Sequence, residues 1–302
     1  MYDQIASNKR RSVLLVIAFV ALFGLLAWAF NLLIGYGVVG VVIALLFAVG
    51  TSAVAYWKSD SVALAMSHAV PADPVQYARL HNLVEGLCIA AGLPKPRVYV
   101  IDDAAPNAFA TGRNPQHAAV AVTTGLLEKM NRVELEGVLA HELSHVKNYD
   151  ILVSTLAVTL VGAIALLSDW GLRSIFWGGS RRGRRDGDSA GAGAIMAVLG
   201  FAFLLLTPIA ARLMQYAVSR RREALADVSG VALTRYPPGL ISALEKLKED
   251  QTVVHSGSRA TAHLWIEAPV ARTAEEGRLA WLGRLFDTHP PLEERIDALR
   301  EL

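Results

Sequence analysis

The sequence predicts an α+β membrane protein, mainly helical, with a small β-sheet and four transmembrane helices. Three observations point there. Four long apolar runs divide the chain, and each approaches the ~20 residues that span a bilayer. The 302-residue chain is 53% hydrophobic and only 19% charged, whereas a soluble globular protein carries about 25% charged residues. Between the second and third runs, positions 58–150 mix helix-spaced apolar residues with short β-branched segments. A net charge of +2 gives no global basic field, which argues against nucleic acid as a partner. The single cysteine, Cys88, excludes an intrachain disulfide and suits a soluble portion in a reducing compartment.

The first run, Ser12–Ile34, follows Lys9, Arg10 and Arg11, and its apolar core is too long for a signal peptide. The second is Tyr36–Trp57. The positive-inside rule puts the N-terminus in the cytoplasm, and two crossings return the chain there at Lys58. Pro74–Leu93 then reads as a helix ended by Gly92 and Pro94. "RVYVID" and "AAVAVTTG" read as strands, and "NAFATG" (Asn107–Gly112) lies between them as a turn with a strand. Asn131 with Glu134 has the form of a capping box opening the next helix. The third run is Ile151–Trp170, and the fourth spans about Ala190–Ala211. Between them, Ser180–Gly193 is a Gly/Arg/Ser stretch expected to be disordered. Helices are expected over Arg212–Leu233, Ser242–Glu249 and Leu292–Leu302, with Pro237 and Pro238 as a break and Gln251–Ala271 as loop.

The chemistry is in "HELSH", residues 141–145. Helical residues four apart share a face, about 6 Å from each other. His141 and His145 can therefore aim two imidazoles at one ion, with Glu142 beside that face. This is the H-E-x-x-H zinc signature, in which the glutamate takes a proton from an activated water. Zinc needs a further protein ligand. The metzincin pattern would put Gly at 148 and His at 151, where this chain has Asn148 and Ile151. "SRRREALAD" (Ser219–Asp227) offers Glu223 as that ligand, with Asp227 one turn on to accept a histidine N–H. The plain alternative is a pair of ordinary helical acids among arginines. His145 precedes the third run and Glu223 follows the fourth, so the two share a side if the intervening hairpin crosses twice or dips in and out.

In this order, "NAFATG", "HELSH", "SRRREALAD" and "THPPLEERI" (Thr288–Ile296), set among four apolar runs, resemble the HtpX family. These are bacterial membrane zinc metalloproteases related to the CaaX prenyl proteases, and the resemblance covers most of the chain. It implies a zincin-like (gluzincin) protease core facing the cytoplasm of the inner membrane. It also implies one Zn²⁺ held by His141, His145 and Glu223, with Glu142 as general base. His289 and Arg295 would approach the zinc and stabilise the oxyanion. Asn107, Ala108, Phe109 and Ala110 would lie on an edge strand that pairs with extended substrate. The implied role is quality control of misfolded or membrane-protein substrates under stress. The remaining histidines, His68, His81, His117, His255 and His263, read as structural or solvent-facing.

The domain expectation follows. Residues 1–57 form a transmembrane hairpin. Residues 58–150 form the first part of the protease domain and 212–302 the second, with 151–211 a second membrane hairpin carrying the Arg/Gly-rich loop. That loop holds Arg173, Arg181, Arg182, Arg184 and Arg185, which a simple outward crossing sets against the positive-inside rule. Two other functions fit the same motifs: a processing peptidase dedicated to a lipidated or single client, and a non-catalytic membrane scaffold that keeps zinc for stability. The intact Glu142 disfavours the scaffold, since a structural site has no use for a base.

Overall fold

A computed structural model describes residues 2–34, 37–160, 162–164, 220–252, 261, 264–266 and 290–302. Two helices, α1 (Tyr2–Ile34) and α2 (Gly37–Met66), are long and apolar enough to cross a membrane. Leu25, Leu32, Ile43 and Leu46 are largely exposed on them, and such continuous apolar faces are stable in lipid rather than water. The third apolar run is described only to the end of α6 (Asp150–Ile164). The fourth run, Ser180–Gly193 and His289 lie outside the described residues.

α2 continues nine residues past Trp57, beyond the expected hairpin boundary. Its last turns carry Ala63 and Leu64, which pack with Ile101, Phe109, Ala121 and Trp265. The membrane helix therefore runs directly into the core of the following domain. After α2 come β1 (Val70–Pro71), α3 (Ala78–Ala91), β2 (Arg97–Ile101), β3 (Ala108–Gly112) and β4 (Ala118–Thr123). α3 ends where expected, at Gly92 with φ 67°, the left-handed conformation that glycine adopts without Cβ strain. The four strands form one mixed sheet in the order β1-β2-β4-β3. β2 and β4 are parallel, and β3 returns antiparallel to β4 as the outer strand.

After the short α4 (Thr124–Lys129) comes α5 (Arg132–Lys147), with "HELSH" in its last two turns. Its capping box forms as expected. Asn131 accepts from the Val133 and Glu134 N–H groups, and Glu134 accepts from the Asn131 N–H at 2.8 Å. α5 is buried on nearly every side, as a helix at the centre of a domain must be. α3, β3, α7 (Arg220–Thr234) and α8 (Pro237–Glu249) surround it. Pro237 and Pro238 open α8 rather than merely ending α7. Proline suits a first helical turn, where its missing N–H would have no partner anyway. α9 (Leu292–Arg300) closes the core against α8.

Candidate active site

Three side chains from two helices converge. His141, His145 and Glu223 each bring one ligand atom to within 4.8 Å of the others. The two Nε2 atoms are 3.2 Å apart. Glu223 places its oxygens 3.7 Å from His141 Nε2 and 3.6 Å from His145 Nε2. Zn–N and Zn–O bonds are about 2.0–2.2 Å, so ligand atoms around one tetrahedral zinc lie about 3.3–3.6 Å apart. The separations are of that order, with Glu223 turning one oxygen toward each histidine.

The protonation pattern agrees. His141 Nδ1 lies 2.8 Å from Asp227 Oδ1, and His145 Nδ1 lies 3.1 Å from Asp150 Oδ2. A carboxylate partner requires the proton on Nδ1, which leaves each Nε2 with its lone pair directed at the shared point. Two such lone pairs and a carboxylate repel one another unless a cation lies between them. The electrostatics show the same demand. Burial lowers the His141 pKa, but Asp227 and Glu223 overcome it and push it up to about 9. The residues fit a divalent metal with His and carboxylate ligands.

Close approach of the two helices sets this geometry. A Cβ on Gly230 of α7 would lie 3.0 Å from the His141 nitrogen and 3.2 Å from its Cα. The absent side chain lets α7 press its backbone against α5 beside the first histidine. Glu142 is 2% exposed and lines the same cavity as the triad but is not one of the converging set. Burial raises its pKa, while the two histidines pull it down. Burial wins, and the Glu142 pKa stands above the ordinary carboxylate value.

Arg295 lies against the His141 ring, its Nη2 3.4 Å from Nδ1 and 3.5 Å from Nε2, though it is not among the residues lining the cavity. Its Nε and Nη2 form a two-pronged pair with Asp227, at 2.9 and 2.7 Å, and Nη1 donates to the Ile266 carbonyl at 3.3 Å. Burial would raise the Asp227 pKa, but Arg295 and His141 hold it at about 2. The guanidinium is thus anchored on Asp227 and also reaches the Nε2 side of the His141 ring, while Arg222 of α7 lines the cavity.

The expected substrate strand is β3, at the sheet edge. Asn107 precedes it and turns inward, its carbonyl accepting from the Thr123 N–H at 3.0 Å. The Ala108 carbonyl faces the outer edge and accepts from Ile266 N–H at 3.0 Å. Phe109 packs edge-to-face on Trp265, with ring centroids 4.9 Å apart. By strand alternation Ala110 turns its backbone to the same outer edge as Ala108, and it lines the cavity. Of the four residues, the structure brings Ala110 to the site, while the others support the strand.

Asp150, Gly230 and the 264–266 segment were not singled out from sequence. Asp150 is five residues beyond His145 across Tyr149, whose φ is 61°, so helical spacing could not associate the two. A family model, Peptidase family M48, matches residues 74–302. "Protease HtpX homolog" of Thermoanaerobacter pseudethanolicus is 43% identical over 302 residues, covering 100% of this chain and 98% of that protein. The protein of that name from Tropheryma whipplei strain TW08/27 is 47% identical over 305 residues, with the same coverage. A crystal structure of S. mikatae Ste24p aligns at TM-score 0.48 and 18% identity, covering 99% of this chain and 67% of that one. On the family model and these full-length relatives, the chain belongs to peptidase family M48 and is a metalloendopeptidase of the HtpX type.

Proposed function

We infer that the protein is a zinc-dependent endopeptidase of the bacterial cytoplasmic membrane that cleaves misfolded or membrane-protein substrates in quality control. The observation that carries this reading is the convergence of His141, His145 and Glu223 with Glu142 lining the same cavity. Bound zinc supplies Lewis acidity, polarising a carbonyl and acidifying water. The chain does the rest. His141, His145 and Glu223 hold the ion, and Asp227 and Asp150 hold the histidine protons on Nδ1. Glu142 accepts the proton of the attacking water and returns it to the leaving amine. Arg295 keeps Asp227 ionised and oriented. His289 and Arg295 remain the candidates for stabilising the oxyanion, as the family resemblance implies.

Substrate would approach in extended form along β3, with Ala110 as the point of backbone pairing nearest the cavity. Main-chain hydrogen bonds bind many sequences, which suits clients chosen for being misfolded. A metal kept only for structure would not need Glu142 in the cavity, so the scaffold reading loses ground. Four transmembrane helices and a cytoplasmic site complete the proposal. Its support is the Lys9–Arg11 cluster together with the contact between the head of α1 and the corner after α5. Tags at the N-terminus, near Asp103 and at the C-terminus should all be cytoplasmic, and an external tag at Asp103 would overturn this orientation.

The activity test is metal analysis of detergent-purified protein with casein cleavage before and after chelation. About one zinc per chain and chelator-sensitive cleavage are expected. Cleavage that survives full metal removal would refute the reading. Zinc-dependent cleavage of one lipidated client but not of casein would favour a dedicated processing peptidase.

A further inference from the structure

The corner between α5 and α6 is closed by a residue from the far end of the chain. Asp150 is 2% exposed, and its carboxylate is shared. Oδ2 faces His145 Nδ1 at 3.1 Å, and Oδ1 accepts from Asn8 Nδ2 at 2.6 Å and lies 3.5 Å from Arg222 Nε. Asn8 is fully buried, and its amide also donates to the Asn148 carbonyl at 2.8 Å. Two acceptors on one side fix which way that amide faces.

The rest of α1 follows α6 downward. Lys9 Nζ sits 4.6 Å from the Tyr149 ring centroid. Leu15 packs with Val153 and Ala157, and Phe19 with Leu152 and Leu156. Apolar packing therefore already joins the two helices. Burying an amide at the head of that seam costs desolvation, and its two N–H groups go to the corner rather than to α1 itself.

We propose that Asn8 on the first membrane helix is a positioning residue of the active centre, acting through Asp150 on His145. A carboxylate turns readily about its last side-chain bond. With Oδ1 held by Asn8, Oδ2 stays on the His145 ring, and the ring keeps Nε2 directed at Glu223. The membrane helix thereby forms part of the metal site's support. This inference rests on the metal-site reading of His145.

The test uses the full-length protein in detergent. The variants are Asn8→Ala, Asn8→Asp, Asp150→Asn, and Asn8→Ala combined with Asp150→Asn. Leu15→Ala and Phe19→Ala serve as packing controls. The readouts are the rate at which a chelator strips zinc and the visible spectrum of the cobalt-substituted protein. Groups that orient metal ligands are worth about 10–100-fold in metal affinity. Asn8→Ala should lose zinc about ten-fold faster, with an altered cobalt spectrum. Asn8→Asp should be no milder despite its near-identical shape, because an ionised carboxylate cannot donate to Asp150. Asp150→Asn should match or exceed both, and adding Asn8→Ala to it should change little further. Leu15→Ala and Phe19→Ala should lower thermal stability without faster zinc loss. Zinc loss from Asn8→Ala and Asn8→Asp within two-fold of wild type would overturn the proposal. So would equal acceleration by Leu15→Ala. A wild-type protein that takes up no metal would instead refute the metal-site reading, and this inference with it.

Discussion

The two histidines of α5 are one helical turn apart, yet their surroundings differ. His141 has 1% of its side chain exposed and is held by Asp227, itself gripped by Arg295. Every member of that set comes from α5, α7 and α9. His145 has 15% exposed and is held by Asp150, which Asn8 reaches from the first membrane helix. One half of the site is built like a domain core, and the other is built against the membrane anchor. The difference suggests that separating the domain from its anchor would leave His141 supported and His145 less so.

Removal of a ligand should erase the difference. His141→Ala, His145→Ala and Glu223→Ala should each lose most of the zinc and essentially all cleavage. His117→Ala should keep both, since that exposed ring bonds only with Asn114 among the described residues. Full zinc content in Glu223→Ala, by elemental analysis, would remove Glu223 as a ligand.

Substitution of the two carboxylates should show the asymmetry. Asp227→Ala and Asp150→Ala should each weaken zinc binding by about 10–100-fold in chelator competition. Asp227→Ala also removes the two-pronged carboxylate partner of the buried Arg295, and breaking a buried ion pair costs about 3–5 kcal/mol. As its arginine pair, Asp150→Ala loses only the longer 3.5 Å contact with the buried Arg222, so the melting temperature of Asp227→Ala should be the lower of the two. Equal melting temperatures would show that the Arg295 pair is not the stronger support.

Gly230→Ala sharpens the His141 side. A Cβ at 3.0 Å from the α5 backbone must push α7 away, and overpacking of this kind costs about 1–3 kcal/mol. Zinc affinity should fall with stability, because Glu223 moves with α7. Destabilisation with unchanged zinc affinity would show that Glu223 does not depend on that contact.

The smallest effect concerns the start of α5. Burial would raise the Glu134 pKa, but Lys246, Ser242 and the Asn131 N–H outweigh it and hold it below the ordinary carboxylate value. A depressed folded pKa means that its stabilisation is complete above the unfolded pKa. It is lost as pH falls through the folded one. Glu134→Gln keeps an oxygen for the Asn131 N–H but loses the charge paired with Lys246, and should cost about 0.2–1 kcal/mol at neutral pH. The gap in thermal stability to wild type should close in acid, and a gap that widened there would reverse the sign.

How much was legible in sequence follows from distance along the chain. The capping box, α3 with Gly92, the three main strands and the "HELSH" helix depend on residues within a few positions, and local spacing reveals them. Glu223 was nameable as a candidate because it shares a helix with Asp227 at a suggestive spacing. Asp150 was not, because the left-handed Tyr149 breaks the helical count just before it. Asn8 lies 142 positions from Asp150, and no local pattern connects them. The Ile266 bond that occupies Ala108 is also tertiary. It narrows the expected four-residue substrate strand toward Ala110.

The most direct measurement separates metal binding from chemistry at Glu142. Glu142→Gln keeps the size and a hydrogen-bonding oxygen but cannot take a proton. Zinc stoichiometry and casein cleavage should be followed across a zinc titration, beside Glu223→Gln. Glu142→Gln should hold about one zinc per chain and lose at least the ~10²–10⁴-fold that general acid–base catalysis supplies. Added zinc should not restore it, whereas Glu223→Gln should recover in part. Near-normal cleavage by Glu142→Gln at full zinc occupancy would contradict Glu142 as the base.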